Sequence, residues 1–239
     1  MKLNRAFVAA SVLGLVSAFC PAPSQATLMT ELFQGATITA HDKLFSNFTL
    51  VDIQSVNGGF ANLGLVDVQP LVDDPLNPGI KFTAPIDGMG TPFGHLGFSS
   101  VTVIFEFDVE TTTGLPLIKD NSLLINGWVF DAHPNAFIQI TELVLDASGN
   151  SLGDKRVIAR NGDTPDSGNP NHFDALDFSP QAKLHVRKTI DIVGPEFNDG
   201  ARLTMFVQRF SQVPEPSSLA VAGALCLSLV ACRRRPRSN

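Results

Sequence analysis

The stretch Val101-Thr-Val-Ile-Phe-Glu-Phe-Asp-Val109 places a large apolar residue at every second position. Successive side chains of a β-strand point to opposite faces, so these apolar residues share one face of a half-buried strand. Residues 183–192 repeat the pattern with Leu184, Val186, Ile190 and Ile192. The two stretches together predict a domain built from β-strands.

Further strand candidates run through the middle of the chain. They are residues 48–56, 62–69, 80–84, 123–131, 136–146, 154–159 and 202–210. Turn residues such as Asn57-Gly-Gly59 and Asn161-Gly-Asp163 separate them, and the turn at 146–150 predicts a hairpin. No long segment between residues 27 and 213 has helical periodicity. Many short strands with frequent turns predict an antiparallel β-sandwich, jelly-roll or immunoglobulin-like.

Charge and cysteine placement exclude several classes of function. The net charge is −6, but residues 27–213 hold 11 Lys and Arg against 22 Asp and Glu, so the middle of the chain carries −11. An acidic domain does not attract phosphate backbones, which argues against nucleic-acid binding. Cys20, Cys226 and Cys232 all lie outside residues 27–213, so the middle can form neither a disulfide nor a cysteine zinc site.

The N-terminus has the three parts of a secretory signal. Lys2 and Arg5 precede the apolar residues 6–19, and small residues occur at Ser24 and Ala26. We therefore expect residues 1–26 to be a signal peptide that signal peptidase removes between Ala26 and Thr27. The alternative is an uncleaved anchor. A lipoprotein is disfavoured because bulky Phe19 precedes Cys20.

The C-terminus also has three parts. Val213-Pro-Glu-Pro216 is followed by the uncharged apolar residues 217–232, and then by Arg233, Arg234, Arg235 and Arg237. Arginines next to an apolar helix stay on the cytoplasmic side, which places the preceding domain outside the cell. We expect one C-terminal transmembrane helix here, although residues 217–232 are slightly short for a bilayer.

This arrangement resembles the PEP-CTERM sorting signal. The resemblance rests on Pro214, Glu215 and Pro216 with the apolar span and the arginine cluster behind them. It implies a signal peptide at 1–26, an ectodomain at 27–212 and a sorting tail at 213–239. It also implies recognition by an exosortase, a membrane-embedded protease that removes the tail. Residues 42–48 and 208–212 resemble stretches that recur in such proteins and bring no known activity.

The sequence contains no complete catalytic motif. The histidines show no metal-ligand spacing; they are His41, His95, His133, His172 and His185. There is no Gly-x-Ser-x-Gly elbow, and Gly88-Met-Gly90 lacks the third glycine of a dinucleotide motif. We interpret residues 85–99 as a surface loop. No cofactor is implied.

No complete metal-binding motif occurs, and calcium is the ion least excluded by the sequence. Asp146, Ser148 and Asn150 imitate the start of an EF-hand loop, but its glycine and its final glutamate are missing. The acidic residues within 161–177 offer a second candidate site; they are Asp163, Asp166, Asp174 and Asp177. The simpler interpretation of 161–177 is a hydrophilic loop between strands.

Glu106, Asp108 and Glu110 share one face of a strand and could serve a glycosidase, although an ordinary solvent face has the same pattern. Trp128 is the one tryptophan and tyrosine is absent, so stacking residues for sugars are scarce, and Trp128 is expected in the core.

The sequence therefore predicts an exported, non-enzymatic protein of the cell surface or extracellular polysaccharide matrix. The alternative is a secreted carbohydrate-active enzyme or a calcium-dependent carbohydrate-binding module. Convergence of Trp128 and residues 163–177 in one cleft would favour that alternative.

Overall fold

The computed structural model describes residues 25–57, 59–83, 93–96, 99–112, 116–130, 135–164, 169–194 and 200–213. The described residues are mainly β. The strands are β1 (Thr27–Leu28), β2 (Ile38–Ala40), β3 (Lys43–Val56), β4 (Phe60–Ala61), β5 (Asp67–Leu71), β6 (Gly79–Thr83), β7 (Phe93–Leu96), β8 (Ser99–Thr111), β9 (Ile118–Phe130), β10 (Phe137–Asp146), β11 (Ser151–Arg160), β12 (Phe173–Gln181), β13 (Lys183–Gly194) and β14 (Gly200–Gln212). A short helix, α1 (Met29–Leu32), and two 3₁₀ turns, Leu63–Leu65 and Pro170–His172, complete the described elements.

The strands form two antiparallel sheets. The first sheet has the order β1-β5-β6-β14-β9-β12, with β7 pairing the start of β14 and β4 pairing β7. The second sheet has the order β11-β10-β13-β8-β3-β2. The edge strands β12 and β11 lie on the same side of the molecule, because β11 also contacts β9 and β12.

The core lies between the two sheets, as the alternating pattern predicts. The five alternate residues from Val101 to Val109 are at most 1% exposed, and those named in 183–192 are fully buried. Rings from opposite sheets meet there: Phe45 and Phe210 have centroids 5.6 Å apart, and Phe82 and Phe105 are 5.8 Å apart. The prediction of a two-sheet β-sandwich is confirmed, and so is the placement of Trp128, which is 9% exposed.

Three local predictions are wrong. Residues 93–96 are not loop but strand β7, which pairs β14. Residues 62–69 are not one strand: Asn62 Oδ1 accepts from Gly64 N–H at 3.2 Å and caps a 3₁₀ turn, so β5 begins only at Asp67. The loop assigned to 161–177 ends at His172, and residues from Phe173 onward form the edge strand β12.

The hairpin prediction is confirmed. β10 and β11 pair from Phe137 with Arg160 to Leu145 with Ser151. Asp146 closes the turn because its Oδ1 accepts from Ser148 N–H at 2.8 Å and Asn150 N–H at 2.9 Å.

Residues 1–24 and 214–239 lie outside the described part, so most of the expected signal peptide and the sorting tail receive no structural account. Ala26 is exposed without secondary structure, and Thr27 begins β1 opposite Val68. Among the described residues, no helix is long and apolar enough to span a membrane.

Candidate binding cleft

An open cleft of about 720 Å³, measured with the solvent at its mouth, lies beside the edge strand β11. Its walls come from β11, from the turn Pro170–His172 and from the start of β12. The lining residues are Arg156, Ile158, Arg160, Pro170, Asn171, Phe173 and Asp174. The cleft thus forms where the edges of the two sheets meet.

Alternation along β11 explains why arginines reach this cleft. Lys155, Val157 and Ala159 are buried, so the residues between them point to the opposite side. Arg156 and Arg160 are exposed there. No described residue forms an ion pair with either guanidinium group. Both cations are therefore available to an anionic ligand at neutral pH.

Phe173 brings an exposed aromatic ring to the same cleft. It is the first residue of β12 and its exposed fraction is 53%. Together with the two guanidinium groups, the ring gives the cleft both an apolar face and positive charge.

Buried contacts fix the turn that carries Asn171 and Phe173. His172 between them is 3% exposed, and its Nε2 lies 3.1 Å from Asp163 Oδ2. The same oxygen accepts from Arg160 N–H at 2.8 Å. The ring of Trp128 meets the His172 ring edge-on, with centroids 4.6 Å apart. The wall of the cleft is therefore held from behind by packed side chains.

The electrostatics of Asp163 follow from these contacts. Burial raises its pKa, but hydrogen bonds from Arg160 N–H and His172 outweigh burial, so the pKa lies below its usual value. Asp163 therefore remains a carboxylate that anchors the turn.

Asp174 joins the two sheets at the cleft. Its Oδ2 accepts from Arg156 N–H at 2.9 Å, and its Oδ1 accepts from Ala175 N–H at 2.8 Å. A side chain of the first sheet thereby satisfies a backbone donor on the free edge of the second sheet.

Of the four aspartates considered as calcium ligands, the three that the structure describes lie in separate places and contact different residues. Asp163 holds His172, Asp174 holds β11, and Asp177 lies in β12 opposite Asp120. Asp166 lies outside the described residues. Within the part of the chain that the structure describes, no group of His, Cys, Asp or Glu side chains is arranged to hold a metal ion.

The acidic row on β8 forms a charge ladder with β13. Asp108 Oδ1 lies 2.8 Å from His185 Nδ1, and its Oδ2 lies 2.7 Å from Lys183 Nζ. Glu106 faces Arg187 at 3.5 Å, and Glu110 faces Lys183 at 3.9 Å.

Burial raises the pKa of Asp108, but hydrogen bonds, chiefly from Lys183 and Asn47, outweigh it and keep the pKa below its usual value. His185 is half-buried in this ladder.

Convergence of Trp128 with residues 163–177 in one cleft, which would favour a carbohydrate-active protein, is met only in part, because Asp174 lines the cleft and Trp128 does not. The residues that face solvent in the cleft were not predicted. Trp128 touches Asp163 through His172 and does not line the cleft. Arg156, Arg160 and Phe173 do, and none of them forms a recognisable motif. The available signal was the run Arg156-Val-Ile-Ala-Arg160, in which two cations share one face of a strand.

Comparison with known proteins assigns no family. No protein-family model matches the chain, and no curated protein matches its sequence. A solved structure of carbohydrate-binding modules from the β-sandwich superfamily is 11% identical over 74% of this chain and 58% of its own length, with a TM-score of 0.29. A DUF4465 family protein from Bacteroides caccae is 14% identical over 70% of this chain and its whole length, with a TM-score of 0.27. A family 12 xyloglucanase from Bacillus licheniformis is 7% identical over 79% of this chain and 97% of its own, with a TM-score of 0.23. Likenesses this distant do not indicate a shared function.

Proposed function

We propose that the chain is an exported, non-enzymatic binding protein of the cell surface or extracellular polysaccharide matrix. Its ligand is an acidic polysaccharide, which it binds in the cleft beside β11, where the local positive charge of Arg156 and Arg160 opposes the net charge of −11 carried by residues 27–213 as a whole. The observation that carries the proposal is the exposed Phe173 ring next to the free guanidinium groups of Arg156 and Arg160.

The chemistry of the cleft suits such a ligand. An aromatic face packs against the apolar C–H face of a sugar ring, and arginine pairs carboxylate, sulfate or phosphate groups through two parallel hydrogen bonds. Arg156 and Arg160 are four positions apart on a strand, which separates their Cα atoms by about 13 Å. That spacing favours an extended ligand with repeated charges over a single small anion.

Export is proposed from the two ends of the sequence. Signal peptidase would create a new terminus at Thr27, and the pairing of Thr27 with Val68 supports a mature chain that starts there. An exosortase would act at Pro214, Glu215 and Pro216 while residues 217–232 lie in the membrane. The protein would then reach the surface or matrix without its tail.

Binding is tested by isothermal titration of the exported protein with a uronate-rich and a neutral polysaccharide. We expect the wild type to bind the acidic polymer and Phe173→Ala to bind it at least tenfold more weakly. Phe60→Ala is the matched control, because Phe60 is 42% exposed on the distant strand β4 and does not line the cleft. Equal affinity of both variants would place the ligand elsewhere. Release of reducing ends from either polymer would contradict a non-enzymatic role.

A further inference from the structure

A cluster of polar side chains is sealed between the two sheets. Each of them is at most 1% exposed, and they come from five strands of both sheets. The members are Asn121 of β9, Glu142 of β10, Lys155 of β11, Lys188 of β13 and Gln208 of β14. Since buried charges are costly, such a group calls for a specific role.

One carboxylate oxygen, Oε1 of Glu142, accepts hydrogen bonds from three other members of the cluster. Glu142 Oε1 lies 2.5 Å from Lys155 Nζ and 2.6 Å from Asn121 Nδ2. Gln208 Nε2 also donates to Oε1, at 2.7 Å, and Lys188 Nζ donates to Oε2. Lys155 Nζ in addition donates to Asn121 Oδ1, which places the amine nitrogen against the carbonyl of a primary amide. The same carboxylate oxygen therefore touches both the amine and the nitrogen that the amide would lose.

The charges of this cluster do not balance. Two ammonium groups, those of Lys155 and Lys188, share the single carboxylate of Glu142. One positive charge is thus left over among side chains that are at most 1% exposed. Converting Lys155 to a neutral amide would leave Glu142 and Lys188 as a matched pair.

We propose that Lys155 and Asn121 condense into an intramolecular isopeptide bond, with Glu142 as the catalytic residue. The bond joins Lys155 Nζ to Asn121 Cγ and links β11 of the second sheet to β9 of the first. The crosslink encloses the chain between residues 121 and 155.

The step balances without any co-reactant. Glu142 Oε1 takes a proton from the Lys155 ammonium group, and the neutral amine attacks Asn121 Cγ. In the tetrahedral intermediate Glu142 returns this proton to Nδ2 and the Cγ–Nδ2 bond breaks. The former lysine nitrogen then gives up a second proton through Glu142 to the departing ammonia, so that ammonium leaves and carries the surplus positive charge with it. One C–N bond forms and one breaks, nothing is oxidised, and the remaining amide N–H still faces Glu142 Oε1. The arrangement matches the requirement that a general base lie within hydrogen-bonding reach of the proton it moves.

The other members of the cluster hold the Glu142 carboxylate in place, and in its ionised form, before the reaction. Burial raises the pKa of Glu142, but the ammonium groups of Lys155 and Lys188 outweigh burial and lower it to about 2. Lys188 and Gln208 are not consumed, and they fix the carboxylate between amine and amide. A crosslink made this way gives an exported domain without cysteines at residues 27–213 a covalent brace that needs no oxidising partner.

Peptide mapping of the full-length wild-type protein tests the proposal directly. Trypsin cleaves after Lys and Arg, and the chain between Lys119 and Lys155 contains neither. An unmodified chain yields peptide 120–155. The crosslinked chain instead yields peptide 120–156, because an acylated Lys155 is not cleaved, and this peptide is lighter by one ammonia, about 17 Da. Its fragment spectrum should lack breaks between residues 121 and 155, since that part is a closed ring.

Two outcomes would overturn the proposal. One is peptide 120–155 at its unmodified mass. The other is peptide 120–155 lighter by one ammonia, which is the product of succinimide formation at Asn121 and leaves Lys155 cleavable. Asn121→Ala should restore cleavage at Lys155, while Ser122→Ala, one residue away on β9, should keep peptide 120–156. Because the wild-type map alone decides the question, a variant that fails to fold does not affect the test.

Discussion

Lys155 and Arg156 are adjacent on β11 and point to opposite sides of the second sheet. Lys155 is 1% exposed and lies against Glu142 in the core, whereas Arg156 is exposed in the cleft. Strand β11, which carries the proposed binding arginines, is therefore also the strand that the proposed crosslink fixes to the first sheet. Such bracing reduces the ordering that β11 must undergo when a ligand binds.

Removal of the arginines should weaken binding of the acidic polysaccharide. A hydrogen bond to a charged group contributes about 1.5 to 3 kcal/mol, so Arg156→Ala and Arg160→Ala should each lower affinity about tenfold to a hundredfold. Each variant should also show a smaller loss of affinity between low and high salt than the wild type. Arg187→Ala removes the same charge from the β8–β13 ladder and serves as the control. Titration calorimetry that finds Arg187→Ala as damaging as Arg156→Ala would refute a local site.

Glycine at position 153 should be required for the close approach of the edge strands β11 and β12. Gly153 has φ +144°, and an added Cβ would lie 2.7 Å from Leu176 Cδ1 on β12. Gly153→Ala should therefore strain the backbone of β11 and displace the Leu176 side chain of β12, the strand that carries Phe173, at a cost of about 1 to 3 kcal/mol. Gly149→Ala is the control: its φ is +84°, but nothing lies within 4 Å of the added Cβ. We expect both variants to lower the denaturation midpoint, and only Gly153→Ala to weaken binding of the acidic polysaccharide. Unchanged binding by both variants would show that the cleft does not depend on the contact between Gly153 and Leu176.

The contrast between the edge strand β12 and the long strands β8 and β13 shows how far the sequence predicts this structure. Long strands such as β8 and β13 were predicted because each buries one face completely, and burial imposes a strict two-residue pattern. β12 was missed because it is an edge strand whose residues alternate only between exposed and half-buried. The cleft was missed for a related reason: Arg156 and Phe173 meet only because β11 and β12 end opposite sheets on the same side, and sequence patterns do not specify which edges meet. The buried lysines were missed because lysine in a strand ordinarily indicates solvent.

Acid should destabilise the fold through Glu142. Its pKa is lowered from 4.5 to about 2, so this carboxylate stabilises the native state above pH 4.5, and that contribution is lost as the pH falls toward 2. The loss is on the order of 3 kcal/mol. That figure applies while Lys155 is unreacted. After condensation the Lys155 ammonium group no longer lowers the pKa of Glu142, so the loss carried by the remaining pair with Lys188 is smaller. Urea denaturation at pH 7, 4 and 3 should show the decline.

A neutral replacement of the charges isolates this effect from that of other carboxylates. In the triple variant Glu142→Gln, Lys155→Met, Lys188→Met, the amide carbonyl introduced at position 142 can still accept from Asn121 and Gln208. We expect this variant to lose less stability on acidification than the wild type. An identical slope of unfolding free energy against pH in the two proteins would show that the buried cluster does not titrate on folding.

The described part of the sandwich ends at Val213, which still makes a contact of its own. Gln212 ends β14, and its Oε1 accepts from the buried Lys43 Nζ at 2.7 Å while its Nε2 donates to Pro75 O at 2.8 Å. Val213 N–H still donates to Leu117 O at 3.0 Å. The expected tail begins at 213, but this bond assigns Val213 to the sandwich. A chain that stops after Val213 should therefore keep the wild-type melting temperature, and one that stops after Ser211 should melt several degrees lower, because Lys43 then loses a buried partner.

The same boundary makes the sorting hypothesis testable without disturbing the fold. Substituting Pro214, Glu215 and Pro216 with alanine changes no described contact, so the exported domain should bind and melt as the wild type does. In a host with an exosortase, however, it should stay in the membrane fraction with residues 217–239 attached, because the arginines hold the tail on the cytoplasmic side. The chain that stops after Val213 should appear in the periplasm or medium. Intact-mass analysis of each fraction distinguishes these products. Wild-type protein that reaches the surface with its tail intact would show that the Pro-Glu-Pro segment anchors the protein and does not direct its release.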